Sequence, residues 1–236
     1  PEDVLDREIR DIENIGVKII TNTKIERLDE LSGHGFNAVF LALGAAESIK
    51  MWISGEDDAR VLDGMSVLKS INFGKKVDFA GKVAVVGGGN VAIDVARSVL
   101  RIGAEEVTIL YRRTREEMPA AREEVEEALK EGVKISFLVA PQKVLPERNK
   151  LKVECIRMQL GEPDTSGRRR PIPIEGSAFA VDVDRLVTAI GQRPVVPSGF
   201  GIAVDKKGRV SADVETLACS SEGVCSGGDV VSGPAS

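Results

Sequence analysis

The sequence lacks any pair of cysteines at CxxC spacing: its three, Cys155, Cys219 and Cys225, match neither a redox dithiol nor a zinc or iron–sulfur ligand pattern. Three buried or half-buried thiols are expected instead, and no metal site. There is one histidine, His34, in the loop-like SGHG, so chemistry that needs a histidine pair is excluded; it reads as a solvated loop residue. No apolar run reaches the roughly 18 residues of a membrane span. The opening PEDVLDREIR lacks the apolar stretch of a signal peptide, which leaves the cytoplasm as the default location. Positive charge is also scarce: 32 basic against 37 acidic residues give a net charge of -5, which argues against a nucleic-acid surface. Any phosphate has to be bound locally. What is present, 42% apolar and 29% charged side chains in 236 residues, suits a sizeable core in one large or two modest domains.

Two stretches of the chain echo each other. Ile15-Gly16-Val17-Lys18-Ile19 matches Glu131-Gly132-Val133-Lys134-Ile135, each placed between an amphipathic helix and a strand. The first helix carries Leu5, Ile9 and Ile12 on one face and the second Met118, Ala121, Val125 and Ala128, with a glycine where a left-handed cap would end each helix. A second echo, Ala38 to Gly44 against Asp184 to Gly191, gives two buried-type strands ending in glycine. Between the echoes of the second unit, Leu151 to Val181 alternates apolar residues with turn signals at Glu162-Pro163-Asp164 and Ser166-Gly167, and predicts an antiparallel meander. Arg168-Arg169-Arg170 reads there as a solvated turn, with an acidic partner as the alternative. The second unit opens at Lys82, 50 residues before Gly132, whereas 15 residues precede Gly16. On this count the front of the first unit, roughly 30 residues of strand, turn, helix and strand, is expected to lie before Pro1.

Lys82 to Val86 is a short apolar run that leads into Gly87-Gly88-Gly89-Asn90-Val91-Ala92, a fit to G-x-G-x-x-A. The motif is weak alone. Its context strengthens it: Val95, Ala96, Val99 and Leu100 share one helical face, then come Gly103 and the strand Val107 to Tyr111. Gly87 would allow the tight turn, Gly89 the approach of a pyrophosphate, and Ala92 close packing of helix on strand. The phosphates would meet free N–H groups at the helix start. Where an NAD site would place an acid against the ribose, this chain has Arg112 and Arg113, with Arg115 close behind. Guanidinium groups can hold a 2′-phosphate that a carboxylate would repel, so NADP(H) is the expected dinucleotide.

With VVGGGNVAIDVARS at Val85 to Ser98, LYRRTREEMPA at Leu110 to Ala120, TAIGQRP at Thr188 to Pro194 and GGDVVSGPAS at Gly227 to Ser236, the chain resembles the small-subunit family of NADPH-dependent glutamate synthase over essentially its whole length. The resemblance implies an α/β fold with a Rossmann-like NADP(H) domain inserted into a partial FAD-binding domain of the two-dinucleotide-binding-domain flavoprotein type. Residues 1–78 and 191–236 would belong to the FAD domain, and 79–190, meander included, to the NADP(H) domain. It implies NADP(H) contacts from Gly87, Gly88, Gly89, Asn90, Val91, Ala92, Arg112, Arg113, Arg115, Ala189, Ile190 and Gly191. FAD contacts would come from Gly44, Ala45, Gln192, Gly228, Asp229, Gly233, Pro234, Ala235 and Ser236, with a helix beginning at Gly233. The activity implied is hydride transfer from NADPH to FAD, which needs stacked rings and no protein acid or base, so no catalytic side chain is assigned; Glu116, Glu117 and Glu123 read as a solvated, helix-starting charge cluster. Implied partners are an iron–sulfur domain or a large catalytic subunit. The alternative is a nucleotide-binding domain or fragment that binds NADP(H) without catalysis. A thioredoxin-reductase-like enzyme would need a CxxC.

Overall fold

The computed structural model describes residues 2–33, 35–164 and 166–234; His34, Ala235 and Ser236, with the expectations placed on them, lie outside these. Helix α1 (Glu2–Asn14) ends at Gly16, whose φ of +98° is the left-handed cap the glycine suggested. Its apolar residues Leu5, Ile9 and Ile12 are all exposed. After the short α2 (Asp29–Ser32) comes β1 (Val39–Leu41), then β2 (Glu47–Ser48) and β3 (Val61–Asp63). Asp63 caps helix α3 (Gly64–Asn72) by accepting a hydrogen bond from the Ser66 N–H.

The glycine turn sits between β4 (Lys82–Val86) and α4 (Asn90–Arg101), followed by β5 (Glu106–Tyr111), α5 (Arg122–Lys130) and β6 (Lys134–Phe137). An antiparallel layer follows: β7 (Val139–Pro146), β8 (Leu151–Pro163), β9 (Arg169–Pro173) and β10 (Phe179–Val183). β11 (Arg185–Thr188) returns beside β4, and β12 (Gln192–Arg193), β13 (Val224–Ser226) and α6 (Asp229–Ser232) complete the chain.

The main sheet has the order β3-β11-β4-β5-β6, every pair parallel. It is buried on both faces, which is why β4 is a continuous apolar run. Val83 and Val85 pack with Val95, Val99, Val107, Ile109 and Val125 on the helical side. Ala84, Val86, Leu110 and Leu186 pack with Leu151, Val153 and Cys155 of the antiparallel layer on the other. Burial there pushes the Cys155 thiol up to about 11, and Cys219 and Cys225 are half-buried. β1 and β13 form a separate parallel pair over a small cluster of Leu41, Phe200 and Val224.

Three expectations change. β3, within the stretch 1–78 expected to belong to the FAD domain, pairs with β11, and α3 packs on α4; the pairing spans more than a hundred residues, and no local pattern announces it. The antiparallel layer begins at Val139 instead of Leu151, and β10 pairs with β8, leaving β9 alone on the far half of that long strand. Helix α5 starts only at Arg122, so Met118 lies outside it and Ala121 is its N-cap. Pro119 fixes the chain in extended form just before, and Met118 has ψ of 119°.

Candidate functional site

The strand order reverses between β4 and β11, and at their carboxyl ends lies a cavity of about 800 Å³. Such a crevice is where open α/β sheets bind ligands. The three glycines at its floor are there for three different reasons. At Gly87, φ +146°, a Cβ would stand 2.1 Å from the Ala189 carbonyl oxygen; at Gly88 it would meet the Tyr111 ring at 2.4 Å. Both are excluded by the protein itself. Gly89, the N-cap of α4, has nothing within 4 Å of such a Cβ. A side chain there would project into the open space in front of the helix start. Ala92 is fully buried beneath, and a Cβ on Gly87 would be 3.3 Å from its own.

The segment after β5 folds back over this turn. The Ala120 N–H donates to the Gly88 carbonyl at 3.1 Å. The Ala121 N–H donates to Asn90 Oδ1 at 3.0 Å, and the Tyr111 hydroxyl to the Glu117 carbonyl at 2.6 Å. Pro119 thereby reaches the cavity wall. Glu117 is buried, against the expectation of a solvated cluster: it closes a capping box with Thr114 and accepts from Arg169 Nε at 2.7 Å. The Thr114 hydroxyl, then Arg169, holds its carboxyl below the usual range despite burial. Glu116 stays exposed. Arg169 is likewise no purely solvated turn residue; it bridges to Glu117.

Of the residues expected to meet NADP(H), Gly87, Gly88, Gly89, Asn90, Val91, Arg112, Arg113, Ala189, Ile190 and Gly191 all line the cavity. Ala92 lies beneath it, and Arg115 turns its guanidinium to the Arg122 carbonyl at 3.3 Å. Arg113 is buried, with Nη2 2.8 Å from Asp164 Oδ2 and Nε 2.7 Å from the Arg169 carbonyl oxygen. Arg112 instead faces the opening. The cavity walls, with the charges of Arg113 and Arg168 alongside, push its guanidinium below the ordinary arginine value. Arg168 also lines the cavity and was missed at the sequence level; its only signal was the RRR run after a turn.

Of the residues expected to meet FAD, Gln192, Asp229 and Pro234 line this same cavity. Gly44, Ala45, Gly228 and Gly233 lie outside its lining, and Gly233, φ +83°, ends α6 where a helix start was expected. Among the described residues the Gln192 side-chain N is buried without a partner, as is Asp63 Oδ1. Burial pushes the Asp63 carboxyl up, but hydrogen bonds from Ser48 and Ser66 hold it below its ordinary value overall. Among the described residues no three His, Cys, Asp or Glu side chains gather as metal ligands, and no helix is long and apolar enough to cross a membrane.

The model of the pyridine nucleotide-disulphide oxidoreductases matches residues 2–236. The chain belongs to that family. Within it, the chain is 45% identical over 241 residues to the beta subunit of the NADP(+)-dependent formate dehydrogenase of Moorella thermoacetica, covering 99% of this chain and 34% of that subunit. It is 35% identical over 235 residues to the glutamate synthase [NADPH] small chain of Halomonas elongata, covering 93% of this chain and 49% of that one. The chain thus spans a third to a half of the length of these relatives. Among solved structures, Mycobacterium tuberculosis FprA in complex with NADPH superposes with a TM-score of 0.72 at 18% identity, over 89% of this chain and 61% of that one. The resemblance to glutamate synthase small chains and the two-dinucleotide-binding-domain α/β fold are both borne out.

Proposed function

We propose that this chain is the NADP(H)-binding and flavin-facing module of an NADPH-dependent flavoprotein oxidoreductase that passes electrons to a partner. The observation that carries the reading is one cavity with the open helix start at Gly89 on its floor and, on its wall, Arg112, which has no carboxylate partner among the described residues. The pyrophosphate would lie on the N–H groups that open α4. Arg112 would take the 2′-phosphate, while the Arg113 guanidinium, occupied by Asp164 and a carbonyl, shapes the wall behind it. Ala189, Ile190 and Gly191 would border the nicotinamide. Gln192 and Asp229 would face the flavin, the buried Gln192 amide having a donor to give. NADPH, when bound, supplies the hydride and FAD accepts it; the chain's own part is to hold the rings in register and exclude water.

Relatives named as beta subunits or small chains support a partner, which we read as an iron–sulfur domain or a large catalytic subunit; the setting we read as cytoplasmic. The second reading, nucleotide binding without catalysis, is favoured by one observation: Gly44, Ala45, Gly228 and Gly233 lie outside the cavity lining. One experiment separates the two. An absorption spectrum of the purified chain, followed by calorimetric titration with NADPH and NADH, should show a flavin band that NADPH bleaches and tighter binding of NADPH. Colourless protein that binds NADPH supports the second reading, and no binding of either nucleotide overturns both.

A further inference from the structure

Three arginines, Arg112, Arg113 and Arg168, line the cavity and a fourth, Arg169, stands behind them; the four divide into two kinds. Arg113 and Arg169 are engaged with carboxylates, Asp164 at 2.8 Å and Glu117 at 2.7 Å. Among the described residues, neither Arg112 nor Arg168 has a carboxylate within ion-pair distance, and both line the cavity. Two uncompensated guanidinium groups at one wall repel each other, and a bound dianion would relieve that repulsion. Arg168 comes from a different layer of the fold than Arg112: it is carried by the hairpin between β8 and β9, far along the chain from the end of β5.

That hairpin is tied down. Its tip closes through Asp164 N–H to the Arg168 carbonyl at 2.8 Å and Gly167 N–H to the Asp164 carbonyl at 2.9 Å, with Gly167 at φ +77°. Ser166 donates to Asp164 Oδ1 from N–H at 2.8 Å and from its hydroxyl at 2.5 Å, and Arg168 Nε donates to Ser166 Oγ at 3.0 Å. Arg113, itself buried, grips the base of the tip through both the Asp164 carboxylate and the Arg169 carbonyl. Without these ties the tip of a two-stranded ribbon would be mobile.

We propose that Arg168 completes, opposite Arg112, a clamp that reads the 2′-phosphate of NADP(H), and that Arg113 and Asp164 are positioning residues that hold the hairpin over the pocket. This rests on the NADP(H) reading above. It adds a specificity-determining residue from the antiparallel layer, and it gives Arg113 the role of support.

The test compares two probes that differ only in the 2′-phosphate, adenosine 2′,5′-bisphosphate and 5′-AMP, titrated into the whole chain by calorimetry. The wild-type chain should prefer the bisphosphate. Arg168→Gln should cut that preference by about 10-fold, the worth of a charge-assisted hydrogen bond, while changing 5′-AMP affinity by less than about 2-fold. Arg168→Glu should abolish the preference. Asp164→Asn should cut it by about 3-fold and Asp164→Glu restore it, a rescue that lost folding alone would not give. A wild-type preference retained in both Arg168 variants overturns the clamp, as does equal loss of both probes. An unchanged preference in Asp164→Asn overturns the positioning role. A wild-type chain that binds 5′-AMP without preferring the bisphosphate overturns the NADP(H) reading itself, an outcome distinct from failure of the Arg168 variants alone.

Discussion

The two echoed units share their glycines and little else: a strand, β6, directly follows Gly132, but among the described residues none directly follows Gly16, where one was expected. Each has a helix closed by a positive-φ glycine, Gly16 at +98° and Gly132 at +104°, and a parallel strand followed by another, Gly44 at +66° and Gly191 at +124°. Yet Ile15 and Ile20 are 81% and 61% exposed, whereas Val133 in the second unit is 2% exposed and Val125 not at all. The second unit lies in a five-stranded sheet covered on both faces; among the described residues β1 of the first pairs only with β13. Local signals therefore set caps and strand ends in both units, and burial follows only where further strands supply the layer to pack against.

The largest test of that contrast is Ile93→Ala, which should cost about 4 kcal/mol in a fully packed core, against Ile9→Ala, which should stay within about 0.5 kcal/mol. Urea unfolding of the two variants decides it, and equal losses would erase the distinction. Next, Gly87→Ala forces a Cβ onto the Ala189 carbonyl and should cost about 2–3 kcal/mol. Gly89→Ala, at an N-cap with open space for the methyl group, should cost less than about 1 kcal/mol and weaken NADPH by about 10-fold, because the methyl group holds a phosphate off one charge-assisted contact.

A similar split should separate neighbouring arginines. Arg113→Ala strips Asp164 of its buried partner and should destabilise by about 2 kcal/mol. Arg112→Ala should hold stability within about 0.5 kcal/mol yet weaken NADPH far more than NADH; equal weakening of the two would sink its 2′-phosphate role. The smallest effect is acid-dependent. Arg60 holds the Asp58 carboxyl down to about 2, and Arg97 with Arg101 does the same for Glu131. Both folded values are depressed, so this stability is present above about pH 4–5, where the unfolded carboxylates are ionised. It drains away as pH falls toward 2. Asp58→Asn and Glu131→Gln should each flatten the fall in melting temperature over that window, and an unaltered acid limb would mean the pairs contribute nothing.

Legibility followed distance along the chain. β4, the glycine turn, α4 and β5 were readable because each signal lies within a few residues of the next: apolar run, glycines, a helical face from Val95 to Leu100, a cap near Gly103. Met118 was placed in a helix because its spacing to Val125 and Ala128 fits one, but Pro119 between them keeps the segment extended over the glycine turn. Glu117 looked like a solvated charge; its partner Arg169 lies on another layer. Arg115 stands next to the right motif and turns away, while Arg168, more than fifty residues on, lines the cavity.

By itself the sequence determined that this chain carries a strand–glycine–helix turn followed by arginines, because backbone freedom, helix amphipathicity and charge are properties of neighbouring residues. Tertiary structure decided which charges are left free. Arg112 and Arg113 are indistinguishable as letters; one faces the cavity and the other is spent on Asp164, since only folding brings the β8–β9 hairpin against the end of β5. The same holds for the two units, where equal local patterns end exposed or buried according to which strands pair across the fold.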